Sequence, residues 1–350
     1  MTHAQWTTLV DPARLEGWMD AQALGSGPIA DARPLTGGTQ NLLLAFRRGD
    51  DRYVLRRPPL HPGGDADEAM RREARVLGHL AGSDVPHPAL IASCPDADVL
   101  GAAFYLMAPI DGFSPIGDLP EIAREPVYQH GIGLEMARGL AALSRIDVGT
   151  GDLASLGRLD GYLERQAPRW LKMLHGYVRY EGWPGPGHLP HVEEVAAWLE
   201  ANRPPGFRPG LVHGDYHLGN VMFDPRRCRL AAIVDWELVT VGEPLADLGW
   251  LLATWPDAAT GDCLPRLRTT PCDSFAAPAE IAACYGALTG RDLAHLPWFV
   301  VLACFKLGII LEGTYARACA GKADPQEGAA LHESALWLLR RAAATSRGER

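Results

Sequence analysis

The chain has 350 residues, 47% of them hydrophobic and 21% charged, with a formal net charge of −9. This length exceeds one ordinary core and predicts two lobes, and the acidic balance excludes a general nucleic-acid binder, which needs a basic face. The first residues carry no secretory-signal pattern, and the longest apolar run, Trp298 to Ile310, is short for a membrane span and is interrupted by Lys306, so no membrane partner is expected.

Asp11-Pro12 reads as a helix start, a capping carboxylate before proline at the first helical position. Asn41 to Phe46 and Tyr53 to Arg56 read as strands joined by a hairpin turn at Gly49-Asp50-Asp51. A Pro/Gly loop, Pro58 to Gly64, leads into a helix from about Asp67 to Leu80, on which Glu73, Leu77 and Leu80 share a face. Val85-Pro86-His87-Pro88 ends it, and a strand pair follows whose second member is Val99 to Met107. Beyond Ala108 to Gly112 the pattern turns helical: Val127 to Ile146, Leu159 to Tyr180, Val192 to Asn202, Pro278 to Leu288, Pro297 to Cys319 and Pro325 to Ala344. Two short apolar runs, Leu211-Val212 and Leu230 to Val234, lie among these helices. The chain is therefore α+β, strand-rich first and mainly helical afterwards. Its seven cysteines are scattered and form no C-x-x-C pair, which predicts reduced thiols in a cytoplasmic protein.

The chemistry is carried by His213-Gly214-Asp215-Tyr216-His217-Leu218-Gly219-Asn220, directly after Leu211-Val212. The spacing His-x-Asp-x-x-x-x-Asn is the frame of a kinase catalytic loop. Phosphoryl transfer asks a protein mainly to position groups and neutralise charge. One carboxylate must orient the acceptor hydroxyl and take its proton, and an amide oxygen nearby can hold a metal; Asp215 and Asn220, five residues apart, are the candidates. The second run ends in Asp235-Trp236-Glu237, which puts a carboxylate at a strand end after that loop. Magnesium prefers such hard oxygen ligands. The bland alternative for each segment alone is turn chemistry by Asp and Asn.

These segments resemble the aminoglycoside phosphotransferase superfamily of kinase-like enzymes, and most of all its branch fused to acyl-CoA dehydrogenases in animals. The resemblance is carried by Leu211 to Tyr216, by Val234-Asp235-Trp236-Glu237-Leu238 and by Gly242-Glu243-Pro244-Leu245-Ala246-Asp247-Leu248-Gly249. Tyr53 to Pro59, and Glu164-Arg165-Gln166 with Trp170, fit the same branch, and the likeness spans roughly residues 30 to 320. It implies a protein-kinase-like two-lobed fold. An N-lobe of antiparallel sheet plus helix would occupy residues 1–107, a hinge 108–113, and a larger helical C-lobe with the acceptor site 114–350.

The resemblance further implies ATP, with GTP as an alternative, and Mg2+, with transfer to a small-molecule hydroxyl. His213, Asp215 and Asn220 are the implied catalytic residues, and Asn220 and Asp235 the metal ligands. Gly37, Gly38, Thr39 and Asn41 match a phosphate-covering loop. Arg56 stands where the family usually has a strand lysine, with Glu73 as its helix partner. The chain has only three lysines, Lys172, Lys306 and Lys322, so that lysine is absent. Met107, Ala108 and Ile110 match the hinge that binds adenine through the backbone. Asp247 matches an aspartate that braces the catalytic loop.

Two other readings compete. His213-x-Asp215-x-His217 fits a transition-metal site, although His175, His188 and His191 show no partner spacing. A nucleotide-binding pseudokinase without transfer is the non-enzyme alternative. For the acceptor, an aminoglycoside, a hydroxylated acyl-CoA, and choline or sugar-like alcohols are all open. An apolar stripe, Leu163, Ala167, Trp170, Leu174 and Val178, should pack inward beside a basic stripe, Arg165, Arg169 and Lys172, which reads either as a solvated face paired with Glu164 and neighbouring acids or as a surface for an anionic acceptor.

Overall fold

The computed structural model describes residues 6–35, 41–59, 65–149, 151–256 and 263–349. The chain divides into two compact units, Met1–Gly112 with Ala231–Glu237, and Phe113–Leu230 with Leu238–Arg350. Residues 108–112, expected in a separate hinge, belong with the first unit, and so does Ala231–Glu237. Its Ile233 N–H donates to the Pro86 carbonyl at 2.9 Å, which fixes the segment there.

The first unit opens with helix α1 (Pro12–Ala21), started as expected by Asp11, whose carboxylate accepts from the Ala13 and Arg14 amides. Strands β1 (Ile29–Pro34), β2 (Leu42–Arg48) and β3 (Asp51–Arg57) follow, then α2 (Ala66–Leu80), β4 (Leu90–Cys94) and β5 (Phe104–Met107). They form a five-stranded antiparallel sheet in the order β1-β2-β3-β5-β4. Arg48 pairs with Asp51, which leaves the two-residue loop Gly49-Asp50, and Gly49 takes φ 60° as a tight hairpin of this hand demands. The period of two then sorts β3. Tyr53 and Leu55 join Leu44, Phe46, Phe104 and Leu106 in one core against Leu15 and Met19 of α1. Val54 and Arg56 fall on the opposite face. The β5 strand is shorter than the expected Val99 to Met107, because the chain turns at Gly101 (φ 80°), whose N–H bonds back to the Ala97 carbonyl.

The second unit is mainly helical: α3 (Pro126–Leu143), α4 (Gln166–His175), α5 (Val192–Ala201), α6 (Leu245–Thr254), α7 (Pro278–Thr289), α8 (Leu296–Cys319) and α9 (Pro325–Ser346). A short antiparallel ribbon pairs Gly210–Val212 with Thr240–Gly242, which sets the residues after Val212 at a strand end. Helix α6 was not expected. All its residues except Ala246 are buried, so it shows no polar face to mark its period. Helix α4 is shorter than the expected Leu159 to Tyr180 and gives way to a 3-10 turn over Gly176–Arg179. Leu163, Ala167, Trp170 and Leu174 pack inward as expected, but Val178 lies beyond the helix and is exposed. The expected basic stripe is broken as well: Arg165 turns to the Arg158 carbonyl, and Arg169 lies over the Trp170 ring.

Helix α8 corrects the reading of Trp298 to Ile310 as too short a run. The helix has 24 residues, and an 18-residue stretch of it with mean hydropathy 1.8 is long and apolar enough to cross a membrane. It packs against α6 and α9 instead, and 67% of its apolar window is buried inside the protein. At its crossing with α6, a Cβ on Gly249 would lie 2.6 Å from the Phe299 backbone. Backbone cannot rotate away, so Gly249→Ala is expected to cost about 1–3 kcal/mol by overpacking despite alanine's better helix propensity. Exposed Gly17 of α1 has nothing within 4 Å of such a Cβ, and Gly17→Ala should raise the melting temperature. Thermal unfolding of the two variants checks both signs; a stable Gly249→Ala would refute the close crossing.

Candidate active site

In the first unit the site is built around Arg56. Its place on the β3 face opposite Leu55 aims it at α2, and it is only 6% exposed. Arg56 Nε lies 2.8 Å from Glu73 Oε2, and Nη2 donates to Asp235 Oδ1 at 2.7 Å. The Tyr105 hydroxyl, paired across the sheet with Arg56, donates to Glu73 Oε2 at 2.9 Å. Burial alone would lower the guanidinium, but Glu73, then Asp235, outweigh it and raise its pKa. Neighbouring Arg57 points the other way and donates to the Leu9, Pro58 and Leu100 carbonyls. The strand register thus separates a charge-paired arginine from a structural one.

Asp235 has φ 65°, a left-handed conformation that costs energy for any residue but glycine. That turn directs its carboxylate to Arg56, while the Glu237 carbonyl receives Arg72 Nη2. Asn41 Nδ2 stands 3.5 Å from Glu237 Oε2. Gly37, Gly38 and Thr39 lie outside the described residues. Met107 ends β5, pairing with Val54 and Leu90, and the Ala108 N–H is committed to the Ala89 carbonyl. Of the Ala108 backbone, the carbonyl is then the group left for a ligand; Ile110 is half-buried.

In the second unit the loop after Val212 is held from below. Buried Asp247 on α6 accepts the His213 N–H at 2.6 Å and the Gly214 N–H at 2.9 Å. Burial raises the Asp247 carboxyl, against the pull of His213 and these two amides. Gly214 takes φ 88°, and a Cβ there would lie 2.6 Å from the Leu238 carbonyl oxygen, so glycine is required. His213 is fully buried, and its Nδ1 accepts the Asp215 N–H at 3.3 Å.

Asp215 is ringed by donors. Asn220 Nδ2 bonds both its Oδ2 and its backbone oxygen at 2.9 Å, which turns the Asn220 Oδ1 away as a free hard-oxygen donor. His217 Nδ1 accepts the Gly219 N–H at 3.0 Å, so the neutral ring carries its proton on Nε2, 3.3 Å from Asp215 Oδ1. Burial pushes the Asp215 carboxyl up; His217, His213 and Lys306 more than reverse this, and it falls to about 2. Lys306 on α8 reaches the Gly214 carbonyl at 3.3 Å and sits over the rings of Trp250 and Trp170. Burial lowers its pKa, against Asp215 and Asp247.

Lys306 and Tyr105 were not among the expected site residues, and His217 entered only through the competing transition-metal reading. The signal for Lys306 was present, a lone charge inside an apolar run, and Tyr105 required the β3–β5 register. A carboxyl depressed in the folded state stabilises it above its ordinary pKa of 3.8, and that contribution disappears as pH falls toward about 2. Removing the imidazole by His217→Ala should lift the Asp215 carboxyl toward or above its ordinary value, as read by carboxyl carbon NMR. A titration unchanged near 2 would show that the His217 proton does not hold it.

Residues 31–284 match the phosphotransferase enzyme family, abbreviated APH. Acyl-CoA dehydrogenase family member 11 of Gallus gallus is 30% identical over 303 residues, covering 84% of this chain and 38% of that protein. The human protein of the same name is 27% identical over 328 residues, covering 91% of this chain and 40% of that one. The chain thus spans about two fifths of the length of these relatives. A crystal structure from Ralstonia eutropha JMP134, provisionally assigned as an aminoglycoside phosphotransferase, superposes with TM-score 0.80 and 28% identity over 97% of this chain and 99% of that one. ADP-bound aminoglycoside phosphotransferase APH(2'')-Ib shares the fold at TM-score 0.59 and 16% identity, over 96% and 99% of the two chains. With its antiparallel sheet and helix, helical second unit and braced His213–Asn220 loop, the chain has the kinase-like α+β fold and belongs to the APH phosphotransferase enzyme family.

Proposed function

We propose that the chain transfers the γ-phosphoryl group of ATP to a hydroxyl of a small molecule, with Asp215 as the group that receives the hydroxyl proton. The observation that carries this reading is the Asp215 carboxylate, its pKa lowered by His217, His213 and Lys306, and bonded by Asn220 in a loop braced from Asp247. A carboxyl near 2 is a weak base. It suits a loose transition state, in which the acceptor hydroxyl is oriented first and gives up its proton late. In this reading Asp215 fixes the hydroxyl, and Arg56, held by Glu73, bears on the phosphates through its guanidinium fork.

Asn220 Oδ1 and the Asp235 carboxylate are hard oxygens, the donor class that magnesium takes. Asp235 Oδ1 is engaged by Arg56, which leaves Oδ2. When bound, the ion would neutralise charge on the β- and γ-phosphates. The Arg56–Asp235 pair also favours the second reading, a protein that binds nucleotide without transfer, because it occupies a carboxylate oxygen that a cation would use. The nucleotide complexes of aminoglycoside phosphotransferases support ATP, with GTP as the alternative. For the acceptor, the acyl-CoA dehydrogenase relatives support a hydroxylated acyl-CoA, and the solved structures an aminoglycoside.

Magnesium-dependent ATP consumption over a panel of hydroxyl compounds separates transfer from binding alone, and its best substrate decides between the acceptor classes. Asp215→Asn should cut kcat by a hundredfold or more while MgATP affinity survives; retention of more than about a tenth of kcat would contradict the assignment.

Arg56→Ala should raise KM for ATP and lower kcat. Arg57→Ala loses bonds to three carbonyls, so it should lower the melting temperature and leave KM for ATP unchanged. The reverse pattern would remove Arg56 from the phosphate side.

A further inference from the structure

Within the second unit, apart from the His213–Asn220 loop, a carboxylate on α8 poses a separate problem. Glu312 is fully buried and needs donors for both oxygens. The indole N–H of Trp183 donates to Oε1 at 2.6 Å. His332 Nδ1, on α9, lies 2.7 Å from Oε2. His188 Nε2, at the end of the turn Pro186–His188, lies 3.1 Å from Oε1. The two imidazole rings are 5.2 Å apart.

The tautomer of His188 makes this cluster unusual. Its Nδ1 is bonded to the Gly185 carbonyl, which can only accept, so the proton of the neutral ring sits on Nδ1. Nε2 then presents a lone pair. That atom is buried and makes no hydrogen bond, although it faces a carboxylate oxygen. Two lone pairs at this distance repel unless a positive charge lies between them. A second proton on His188 would supply it, and so would a metal ion.

We propose that His188 Nε2, Glu312 and His332 Nδ1 bind a divalent transition-metal ion of the zinc class. Ligand atoms of the three residues lie within 4.8 Å of one another, so modest rotations of the two imidazoles would close them on one ion. Two imidazoles and one carboxylate form a known zinc ligand set, and the nitrogen donors disfavour magnesium and calcium. The outer contacts have the form that metal-bound histidine and carboxylate take. Nδ1–H of His188 goes to a backbone carbonyl, and the Trp183 N–H orients Glu312. Tyr315 stacks on His332 with ring centroids 4.3 Å apart, and Trp183 meets His188 edge-on, which walls the site with aromatic rings. The ion would tie the Pro186–His188 turn to the distant helices α8 and α9.

The test uses the full chain stripped with a chelator and then titrated with ZnCl2 in competition with a chromogenic chelator. One zinc per chain and a melting temperature that rises with zinc are expected, since an ion bound only by the folded state stabilises it. His188→Gln and His332→Gln should each weaken zinc at least tenfold and abolish the thermal shift, with unchanged far-UV circular dichroism. Glu312→Gln should do the same; if it fails to fold, the two histidine variants decide. Zinc that does not bind, or that binds the double histidine variant as tightly as the native chain, would overturn the site and leave a protonated His188 paired with Glu312.

Discussion

A carboxylate at 1% exposure is tolerated only if its oxygens are filled, and Asp247 fills them with the first two amides of the His213–Asn220 loop. The bonds run from the start of α6 to the backbone that leads into Asp215. They hold the loop through main chain, so its side chains remain available. Gly214 makes the approach sterically feasible, and Lys306 closes it from α8 through the Gly214 carbonyl. Helix packing, loop conformation and the charge state of Asp215 are therefore one problem with one solution: buried charges of both signs, each satisfied by a neighbour.

The first unit solves an analogous problem with an arginine. A lysine in the place of Arg56 could offer only a point charge, whereas the planar fork meets Glu73 through Nε and Asp235 through Nη2. The pairing with two carboxylates is thus specific to the guanidinium. Removing one partner of a buried ion pair typically costs about 3–5 kcal/mol, so Glu73 and Arg56 serve folding as well as any chemistry. The left-handed backbone of Asp235 is part of the same arrangement, strain retained where a carboxylate must be aimed.

How much of this was legible in the sequence depends on the kind of signal. The β2–β3 hairpin and α1 were readable because their punctuation is local: Gly-Asp at the turn, Asp-Pro at the cap. Asp215, Asn220 and Asp235 stood out because their spacing is fixed by one loop and one strand end. Helix α6 was hidden because burial on all sides erases periodicity, and α4 was overextended because its apolar spacing ran on past Gly176. The His188, Glu312 and His332 cluster was invisible for another reason. Its members are separated by more than a hundred residues on one side and by twenty on the other; the packing of α9 on α8 brings Glu312 to His332, and the Pro186–His188 turn brings in His188.

Helix α8 carries both a lysine that touches the loop and a glutamate that gathers two histidines, in a stretch otherwise apolar enough to cross a bilayer. That composition has a meaning before the protein folds. A nascent segment of this length and hydropathy presents the machinery of membrane insertion with nearly the same signal as an anchor. A central lysine adds roughly 2.5–3.5 kcal/mol to the cost of insertion. The charge that Lys306 brings to the Gly214 carbonyl is thus also the charge that opposes insertion, and leucine in its place would lose both effects.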